Sequence, residues 1–555
     1  MHSAAGRGTW LFCTLRDFQP KWLAGDATAA VILAAIAVPE QLATAKLAGM
    51  APIAGLLAFA AGTAAFAAFG MNRYMSVGAD STIAPIFASS LALIAAANSG
   101  HYATLAAVLA VLIGVALLVA GLLRVGWIAD LLSVPVTTGI LAGISAHVII
   151  GQLPALLGID APHGPLIGRL IEIVRQLPQA HLYPLAIGVA VVAIATFAER
   201  CSARIPGALI GLVLAGAIVW LFGLDRRGVA MMASLPVTPP PRTLAVPSWG
   251  EFTQLLPLAL TVALVCMMQT AVVARSFPSD PDGRDELSRD FIAVGAGNIL
   301  AAVLGAFAVN SSPPRTAAVA QSGGRSQLAG LLALAIVAAA VLLAARAFAL
   351  VPEAALSGVL IFVGLRIFRI EIMAHIYRQG GWEILLVAAS AVFVVVFSIQ
   401  TGVTMSIVLA LLHGIYIVAR PKTAVLARIP GTTIWWPRVP GGPGEQESGV
   451  LVFAPAAPIN FTNATYVRRR LMEAIDALSE PCRLVVIEAN GIIDIDYTGA
   501  QVLLQLIDDL RKQKIDVALA RLESQQAQNS AARTGLIAAL GADHVFRSVE
   551  DAVRG

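Results

Sequence analysis

The chain has 555 residues, of which 58% are hydrophobic and only 13% are charged, and its formal net charge is +4. A soluble domain carries about 25% charged residues, so the composition excludes an ordinary soluble protein and indicates apolar surface placed in a bilayer. The small net charge gives no support to nucleic-acid binding, and the four cysteines are widely spaced without a metal or redox motif.

The N-terminal segment, residues 1–21, places four large apolar residues among basic ones and has no long apolar run that ends in a cleavage site. It is therefore predicted to remain on the mature chain as a cytoplasmic segment that lies along the membrane surface. After it, apolar segments recur as far as Ala419, where the charge density rises to that of a soluble protein. The sequence thus predicts a membrane part followed by an aqueous tail.

Fourteen apolar segments are predicted in the membrane part, seven on each side of the polar, proline-rich interval Asp225–Pro247. They lie near 27–47, 51–69, 82–97, 103–123, 127–150, 183–198, 205–223, 255–275, 289–308, 314–321, 328–348, 351–368, 382–398 and 401–419. A helix needs about 20 residues to cross the hydrocarbon core, and most segments reach or approach that length.

The third segment of each half is short or interrupted by helix breakers, around Ala79–Ile86 and around Ser311–Gly324. Broken segments at matching positions of two halves are typical of an inverted repeat with a transport site at its centre. An odd number of segments per half inverts the second copy. We therefore predict a transmembrane domain over 22–420, with one repeat at about 22–223 and the second at about 250–420.

Basic residues flank both ends of the membrane part, and such residues favour the cytoplasmic side. They are Arg7, Arg16 and Lys21 before the first segment and Arg420, Lys422 and Arg428 after the last. Both termini are therefore predicted to be cytoplasmic, as an even number of segments requires, in a multi-pass protein of the inner or plasma membrane.

Five stretches resemble, in the same order, the signatures of the sulfate permease family, which is related to the mammalian anion exchangers and prestin. They are Val38–Leu56, Ser133–Gly158, Arg204–Leu214, Asp285–Phe307 and Asn310–Gly330. The resemblance implies a core bundle (segments 1–4 and 8–11) that moves against a gate bundle (segments 5–7 and 12–14). It also implies a homodimer surrounded by membrane lipid.

The tail alternates predicted strands with predicted helices, which is typical of a small α/β domain. The strands are Val450–Phe453, Arg483–Glu488 and Lys514–Ala520, and the helices lie near 463–478, 498–512 and 530–540. The loop Asp494–Ala500 resembles that of a STAS domain. We therefore expect a linker over 421–448 and a STAS domain over 449–555.

The family resemblance implies that segments 3 and 10 are half-crossing helices whose N-termini face each other near the bilayer centre. A helix N-terminus offers free N–H groups and about half a positive charge, so it binds an anion without a charged side chain. By motif position, the predicted substrate-binding residues are Ala79, Asp80 and Ser81 in the first loop and Ser311, Ser312, Arg315 and Thr316 in the second.

Arg315 matches an arginine of the family, and a cation buried in a membrane indicates function. The alternative is a structural ion pair, for which Asp80 offers a partner. Asp80 itself departs from the family pattern, because a carboxylate repels an anion; it is either protonated, paired with Arg315, or a cap of the half-helix. Pro313 and Pro314 also depart from it, and each removes one N–H group from the second loop.

Glu40 and Gln269 are the predicted coupling residues. Many relatives carry glutamine at the first position and glutamate at the second. The acidic residue therefore lies in segment 1 of this chain, whereas it lies in segment 8 of those relatives. Burial of a carboxyl disfavours its charged form, which makes Glu40 a candidate proton carrier. The alternative is that Glu40 faces a water-filled vestibule, where it only keeps the space hydrated and carries no proton.

The sequence therefore predicts secondary active transport of a small anion by alternating access, with a proton or sodium ion as the coupling ion. Sulfate or a related inorganic anion, bicarbonate and dicarboxylates are the substrates that the resemblance implies. The alternatives are a nucleobase permease of the same fold and a non-transporting membrane anchor for a signalling STAS domain. The residues contain no enzyme motif, no metal-ligand spacing and no cofactor site.

Overall fold

The computed structural model describes residues 11–16, 18–125, 133–160, 166–202, 205–232, 248–278, 286–348, 350–397, 399–438 and 444–555. Parts of five predicted regions lie outside the described residues: 1–10 and 17 of the N-terminal segment, 127–132 of the fifth apolar segment, 233–247 of the polar interval, 398 of the thirteenth apolar segment and 439–443 of the linker. The chain divides into two compact units, Met1–Ala410 and Leu411–Gly555.

The membrane part is built almost entirely from helices. Its first half consists of α1 (Cys13–Arg16), α2 (Leu23–Leu47), α3 (Pro52–Phe69), α4 (Ala84–Leu91), α5 (Gly100–Leu122), α6 (Val134–Leu157), α7 (Leu166–Gln176), α8 (Leu182–Cys201) and α9 (Gly207–Phe222). Its second half consists of α10 (Trp249–Ser276), α11 (Glu286–Val303), α12 (Pro313–Gln321), α13 (Leu328–Phe348), α14 (Glu353–Ile367), α15 (Ile370–Gln379), α16 (Glu383–Val396) and α17 (Ile399–Ala419). Among the described residues, seven helices are long and apolar enough to cross a membrane, and further apolar helices are shorter.

Unusual elements occur at equivalent places in the two halves. A strand of three residues precedes each short third helix: β1 (Val77–Ala79) precedes α4, and β2 (Val309–Ser311) precedes α12. Likewise the amphipathic helices α7 and α15 each follow the fifth apolar helix of their half. This correspondence agrees with the predicted repeat.

Within the membrane part the helices pack into two bundles. The core bundle contains α2–α5 and α10–α13, and the gate bundle contains α6, α8, α9, α14 and α16. Close backbone contacts hold each bundle together. A Cβ atom added at Gly295 of α11 would lie 2.8 Å from the carbonyl oxygen of Gly114 in α5, and one at Gly358 of α14 would lie 2.6 Å from that of Gly188 in α8. Small residues at such crossings allow helices to approach closely.

The tail is an α/β domain with its own hydrophobic core. Its strands are β3 (Thr423–Arg428), β4 (Trp435–Pro437), β5 (Val450–Pro455), β6 (Leu484–Glu488), β7 (Asp516–Ala520) and β8 (Val545–Phe546), in the order β4-β3-β5-β6-β7-β8. Strands β5 to β8 pair in parallel and β3 pairs antiparallel with β4 and β5. The helices are α18 (Ala464–Asp476), α19 (Tyr497–Lys512), α20 (Gln525–Arg533), α21 (Leu536–Leu540) and α22 (Val549–Arg554).

The predicted strands and helices of the tail are present, and β8 and α22 follow them as elements that were not predicted. Two further differences concern the linker and the third helix. Residues predicted as linker form β3 and β4, because β3, which contains the apolar run Ala424–Ala427, pairs with β5 and extends the sheet. The third predicted helix is divided into α20 and α21 at Gly535, whose φ of 81° is left-handed and ends an α-helix. The predicted fold class, a helical membrane protein with a small α/β domain, is confirmed.

Candidate functional site

Two short strands meet at the centre of the core bundle. β1 and β2 pair antiparallel, with Gly78 opposite Asn310, and both strands are fully buried. Backbone groups at membrane depth need internal partners, and the two strands supply them to each other. Proline follows each strand, in the first turn of α4 and of α12, where it favours the start of a helix. The two half-helices therefore begin beside the crossing strands.

Two side-chain amides complete the outer edges of these strands. Gln41 of α2 accepts from the Ala79 N–H group at 2.8 Å and donates to the Ala79 carbonyl oxygen at 3.0 Å. Asn298 of α11 does the same for Val309, at 3.0 and 2.9 Å. Neither amide was among the predicted site residues, although a polar residue inside an apolar segment is the signal that identifies both.

A cavity of about 210 Å³ lies where the half-helices face the gate bundle. Its core side is lined mainly by polar groups and by the two prolines: Glu40, Asp80, Ser81, Thr82, Gln269, Ser312, Pro313 and Pro314. Its gate side is lined by apolar residues and two arginines: Leu141, Ala208, Val359, Phe362, Val363, Arg366, Ile367 and Arg369. The site thus has one wall on each bundle.

A second cavity of about 260 Å³ adjoins the first, and several residues of both bundles line both cavities. It extends toward Glu199 near the end of α8 and Gln321 at the end of α12. Open space therefore runs from the half-helices toward the end of the bundles at which α8, α12 and α14 finish.

Arg315 is fully buried, and its partner is Glu40 rather than the predicted candidate Asp80. Its Nη1 atom lies 3.1 Å from Glu40 Oε1 and donates to the Ala79 carbonyl oxygen at 3.1 Å. Its Nε and Nη2 groups have no hydrogen-bond partner within the described residues, and Arg315 does not line the cavity. The guanidinium therefore lies behind the cavity wall with unused donors.

Asp80, Thr82 and Gln269 form a polar network on the core wall. One Asp80 oxygen accepts from the Thr82 N–H group at 2.9 Å and contacts the Thr82 hydroxyl, and the other lies 3.5 Å from Gln269 Nε2. Gln269 Oε1 lies 2.9 Å from the Thr82 hydroxyl and accepts from the Asn310 amide at 2.7 Å. The single proton of the Thr82 hydroxyl serves one acceptor at a time, so the network has two arrangements. Asp80 orders the turn that leads into α4.

Most backbone N–H groups of the second loop already donate hydrogen bonds to other groups of the protein. The Ser311 N–H group donates to Asn310 Oδ1 at 2.9 Å, and the Ser312 N–H group donates to the Ser76 carbonyl oxygen at 2.9 Å. Thr316 accepts from the Ser76 N–H group through its hydroxyl at 3.1 Å. The Ser312 hydroxyl is buried at the cavity wall and has no hydrogen-bond partner within the described part of the chain.

The structure thus separates the predicted site residues into two layers. Five line the cavity: Glu40, Asp80, Ser81, Gln269 and Ser312. Four lie behind it: Ala79, Ser311, Arg315 and Thr316.

Two arginines on the gate side of the cavity, Arg366 and Arg369, were not among the predicted site residues. Arg366 pairs with Glu199, with 3.0 Å between Nε and Oε1, and its guanidinium lies 5.7 Å from the centre of the Phe362 ring.

Comparisons with known proteins cover both units. The model of the Sulfate permease family matches residues 23–390, and the model of the STAS domain matches residues 444–552. A "Probable sulfate transporter" of Mycobacterium tuberculosis is 30% identical over 539 residues, which are 97% of this chain and 96% of that one. "Sulfate transporter 4.1, chloroplastic" of Arabidopsis thaliana is 23% identical over 95% of this chain and 79% of its own.

Solved structures share the fold. The murine Slc26a9 anion transporter in the inward-facing state matches with a TM-score of 0.84 at 19% identity, over 97% of this chain and 92% of that one. The transmembrane domain of the cyanobacterial bicarbonate transporter BicA matches with a TM-score of 0.59 at 21% identity, over 71% of this chain and 98% of its own. The family match covers most of the chain and the relatives are transporters and not enzymes. The chain is therefore a multi-pass integral membrane protein that belongs to the sulfate permease family and carries a STAS domain.

Proposed function

We propose that this protein is a secondary transporter of a small anion and that it works by alternating access. The observation that carries the proposal is the cavity, which has the beginnings of two half-helices on one wall and the gate bundle on the other. Half-helix N-termini favour an anion through the partial positive charge of the helix dipole, although most N–H groups of the second loop already have partners. Sulfate, bicarbonate and dicarboxylates are the candidate cargoes, and the names of relatives favour sulfate.

The division into two bundles supports the alternating movement. Each bundle is held by close helix contacts of its own, whereas the cavities separate the bundles toward one end. At the other end α2 and α14 are joined by an ion pair, with 3.0 Å between Lys46 Nζ and Glu353 Oε2. Rocking of the core against the gate would close the first end and open the second, so that the cavity is exposed to each side of the membrane in turn.

Glu40 supplies a means of coupling. As a carboxylate it neutralises Arg315 and faces the cavity, so an anion bound there meets a like charge. While Glu40 is ionised, the charge of Arg315 is already compensated, so the pair offers an anion little net attraction. A proton taken up by Glu40 removes the like charge and releases Arg315 toward the anion. Proton and anion would then move together.

Transport by purified protein in liposomes tests the proposal. We expect uptake of labelled sulfate, bicarbonate or succinate that increases when an inward proton gradient is imposed. In Glu40→Gln, uptake should persist without a gradient and lose its stimulation by protons, because a neutral residue already occupies the position. Glu371→Gln, an exposed carboxylate of α15 outside the cavity, is the matched control and should behave like the wild type.

The possible results separate the parts of the proposal. Absence of uptake of every anion under every gradient contradicts transport itself. Unchanged proton stimulation in Glu40→Gln contradicts coupling through this residue and leaves anion transport standing. Stimulation by an inward sodium gradient alone would assign the coupling to sodium.

A further inference from the structure

The two walls of the cavity carry different ionisable residues. Glu40 and Asp80 line the core wall, whereas Arg366 and Arg369 line the gate wall. Arg315 lies behind the core wall and is paired with Glu40. In this conformation an anion that enters the cavity therefore meets its positive charge on the gate side.

The two gate arginines differ in their partners. Arg366 is neutralised by Glu199 at 3.0 Å. Arg369 is half-buried at the cavity wall, and within the described ranges no carboxylate lies within 4 Å of its guanidinium. A partly desolvated guanidinium without a counter-ion attracts an anion more strongly than a paired one does.

The backbone at Arg369 is also unusual. The residue has φ 47° and ψ 48°, a left-handed conformation, in the short connection between α14 and α15. Glycine adopts this conformation without penalty, whereas a residue with a Cβ atom does not. Arginine therefore stands at a position where backbone stability favours glycine. Strained residues of this kind cluster at functional sites.

We propose that Arg369 is a second anion-contacting residue, which holds a small oxyanion or carboxylate on the gate side of the cavity. This inference rests on the proposed function and adds the part played by the gate. The flat guanidinium fork matches two oxygens of sulfate, bicarbonate or a carboxylate. The acidic residues Glu40 and Asp80 lie on the core wall, which Ser312 also lines with a buried hydroxyl that has no hydrogen-bond partner within the described residues. When the gate moves, Arg369 moves with α14 and away from the core.

Three variants separate charge from backbone. Arg369→Gly removes the guanidinium and relieves the left-handed strain. Arg369→Lys keeps a positive charge and retains the strain. Arg378→Gln removes an exposed arginine of the following helix α15, outside the cavity, and is the matched control.

Binding and uptake are both measured. Binding is read from the rise in melting temperature of the detergent-purified protein with added sodium sulfate, sodium bicarbonate or sodium succinate. We expect Arg369→Gly to be at least as thermostable as the wild type without anion, to bind about tenfold more weakly, and to show a KM raised about tenfold with little change in maximal rate. Arg369→Lys should recover most of the affinity, and Arg378→Gln should not differ from the wild type.

The inference is overturned if Arg369→Gly binds as the wild type does, or if the glycine and lysine variants are weakened equally. The second result would indicate a structural role for the arginine. Failure of the proposed function has a different signature. If wild-type protein binds an anion in an Arg369-dependent manner but moves none, transport is wrong and the contact stands.

Discussion

Pro314 shows how a single residue sets the strength of the anion site. It occupies the second position of α12 and lines the cavity, so it removes one N–H group from a helix N-terminus at the proposed anion site. Pro314→Ala should restore that donor. A neutral hydrogen bond contributes about 1 kcal/mol net, so KM should fall by about threefold to fivefold.

The same change should lower the free energy of unfolding by about 0.4–1 kcal/mol, because the unfolded chain gains conformational entropy when the proline is removed. Anion uptake and thermal unfolding measure the two effects.

Pro85→Ala is the matched control for this exchange. Pro85 occupies the first turn of α4, as Pro314 does in α12, but it does not line the cavity. It should therefore lose similar stability and keep its KM. A higher KM in Pro314→Ala would contradict the account, because it would mean that the proline ring itself contacts the anion favourably.

At the scale of residues, the sequence located the two short third helices and left the side-chain pairings around them open. Glycine and proline marked the two interrupted segments, and the family resemblance identified them as half-helices and singled out Arg315. The partner of Arg315 depends on how α2 and α12 are rotated against each other, and that rotation is fixed by packing over both helices. Glu40 faces Arg315 for this reason, while Asp80 is held by Thr82.

At the scale of elements, the ion pair between the ends of α2 and α14 joins core to gate. Lys46 lies in the last turn of α2 and Glu353 lies in the first turn of α14. Each charge therefore also interacts favourably with the dipole of its own helix. Both side chains are partly exposed, so such a pair contributes at most about 1 kcal/mol. The pair favours the conformation in which the cavity extends toward the end of α12.

Charge exchange tests this contact. Lys46→Glu and Glu353→Lys should each depopulate the present conformation by up to about fivefold, and the double exchange should restore it. The rate at which an impermeant thiol reagent modifies Val363→Cys in inside-out membrane vesicles reports the population, in a background without the native cysteines. Val363 lines the cavity on the gate side. Additive effects of the two single exchanges in the double variant would show that the side chains do not interact.

The elements that sequence reasoning missed share one property. α7 and α15 are amphipathic helices of 11 and 10 residues, too short and too polar to register as spans. β3 and β4 lie in a stretch with several glycines and prolines that reads as a linker, and they become strands by pairing with β5 and with each other. Long apolar helices are recognisable from composition alone. These shorter elements form because of their tertiary contacts, with a surface for the amphipathic helices and with a neighbouring strand for β3 and β4.

At the scale of the whole molecule, the chain is two bodies with separate cores. The membrane unit buries helices against one another, and the tail buries a sheet under its own helices. Composition predicted this division because the charge density changes sharply near its boundary. The orientation of the termini and the homodimer remain predictions, since they depend on the membrane and on a second copy of the chain.

Two separate cores imply two unfolding transitions, and Glu488 distinguishes them. This carboxyl at the end of β6 is only 10% exposed, and burial raises its pKa above the ordinary value of 4.5, although Arg521 at 3.4 Å opposes the shift. The folded tail therefore binds this proton more tightly than the unfolded tail does. The contribution of Glu488 to stability is greatest below pH 4.5 and declines as the pH rises through its folded-state pKa.

Glu488→Gln removes this pH-dependent loss. In calorimetry of the full chain we expect the tail transition of the variant to match the wild type near pH 4 and to lie above it at about pH 7, while the membrane transition is unchanged at both. A fragment of residues 421–555 identifies the tail transition. Glu473→Gln on α18, a half-exposed carboxylate of the same domain, is the control and should show no such pH-dependent difference. If both transitions of the full chain move together, the two units unfold as one, and the division into separate bodies does not extend to their stability.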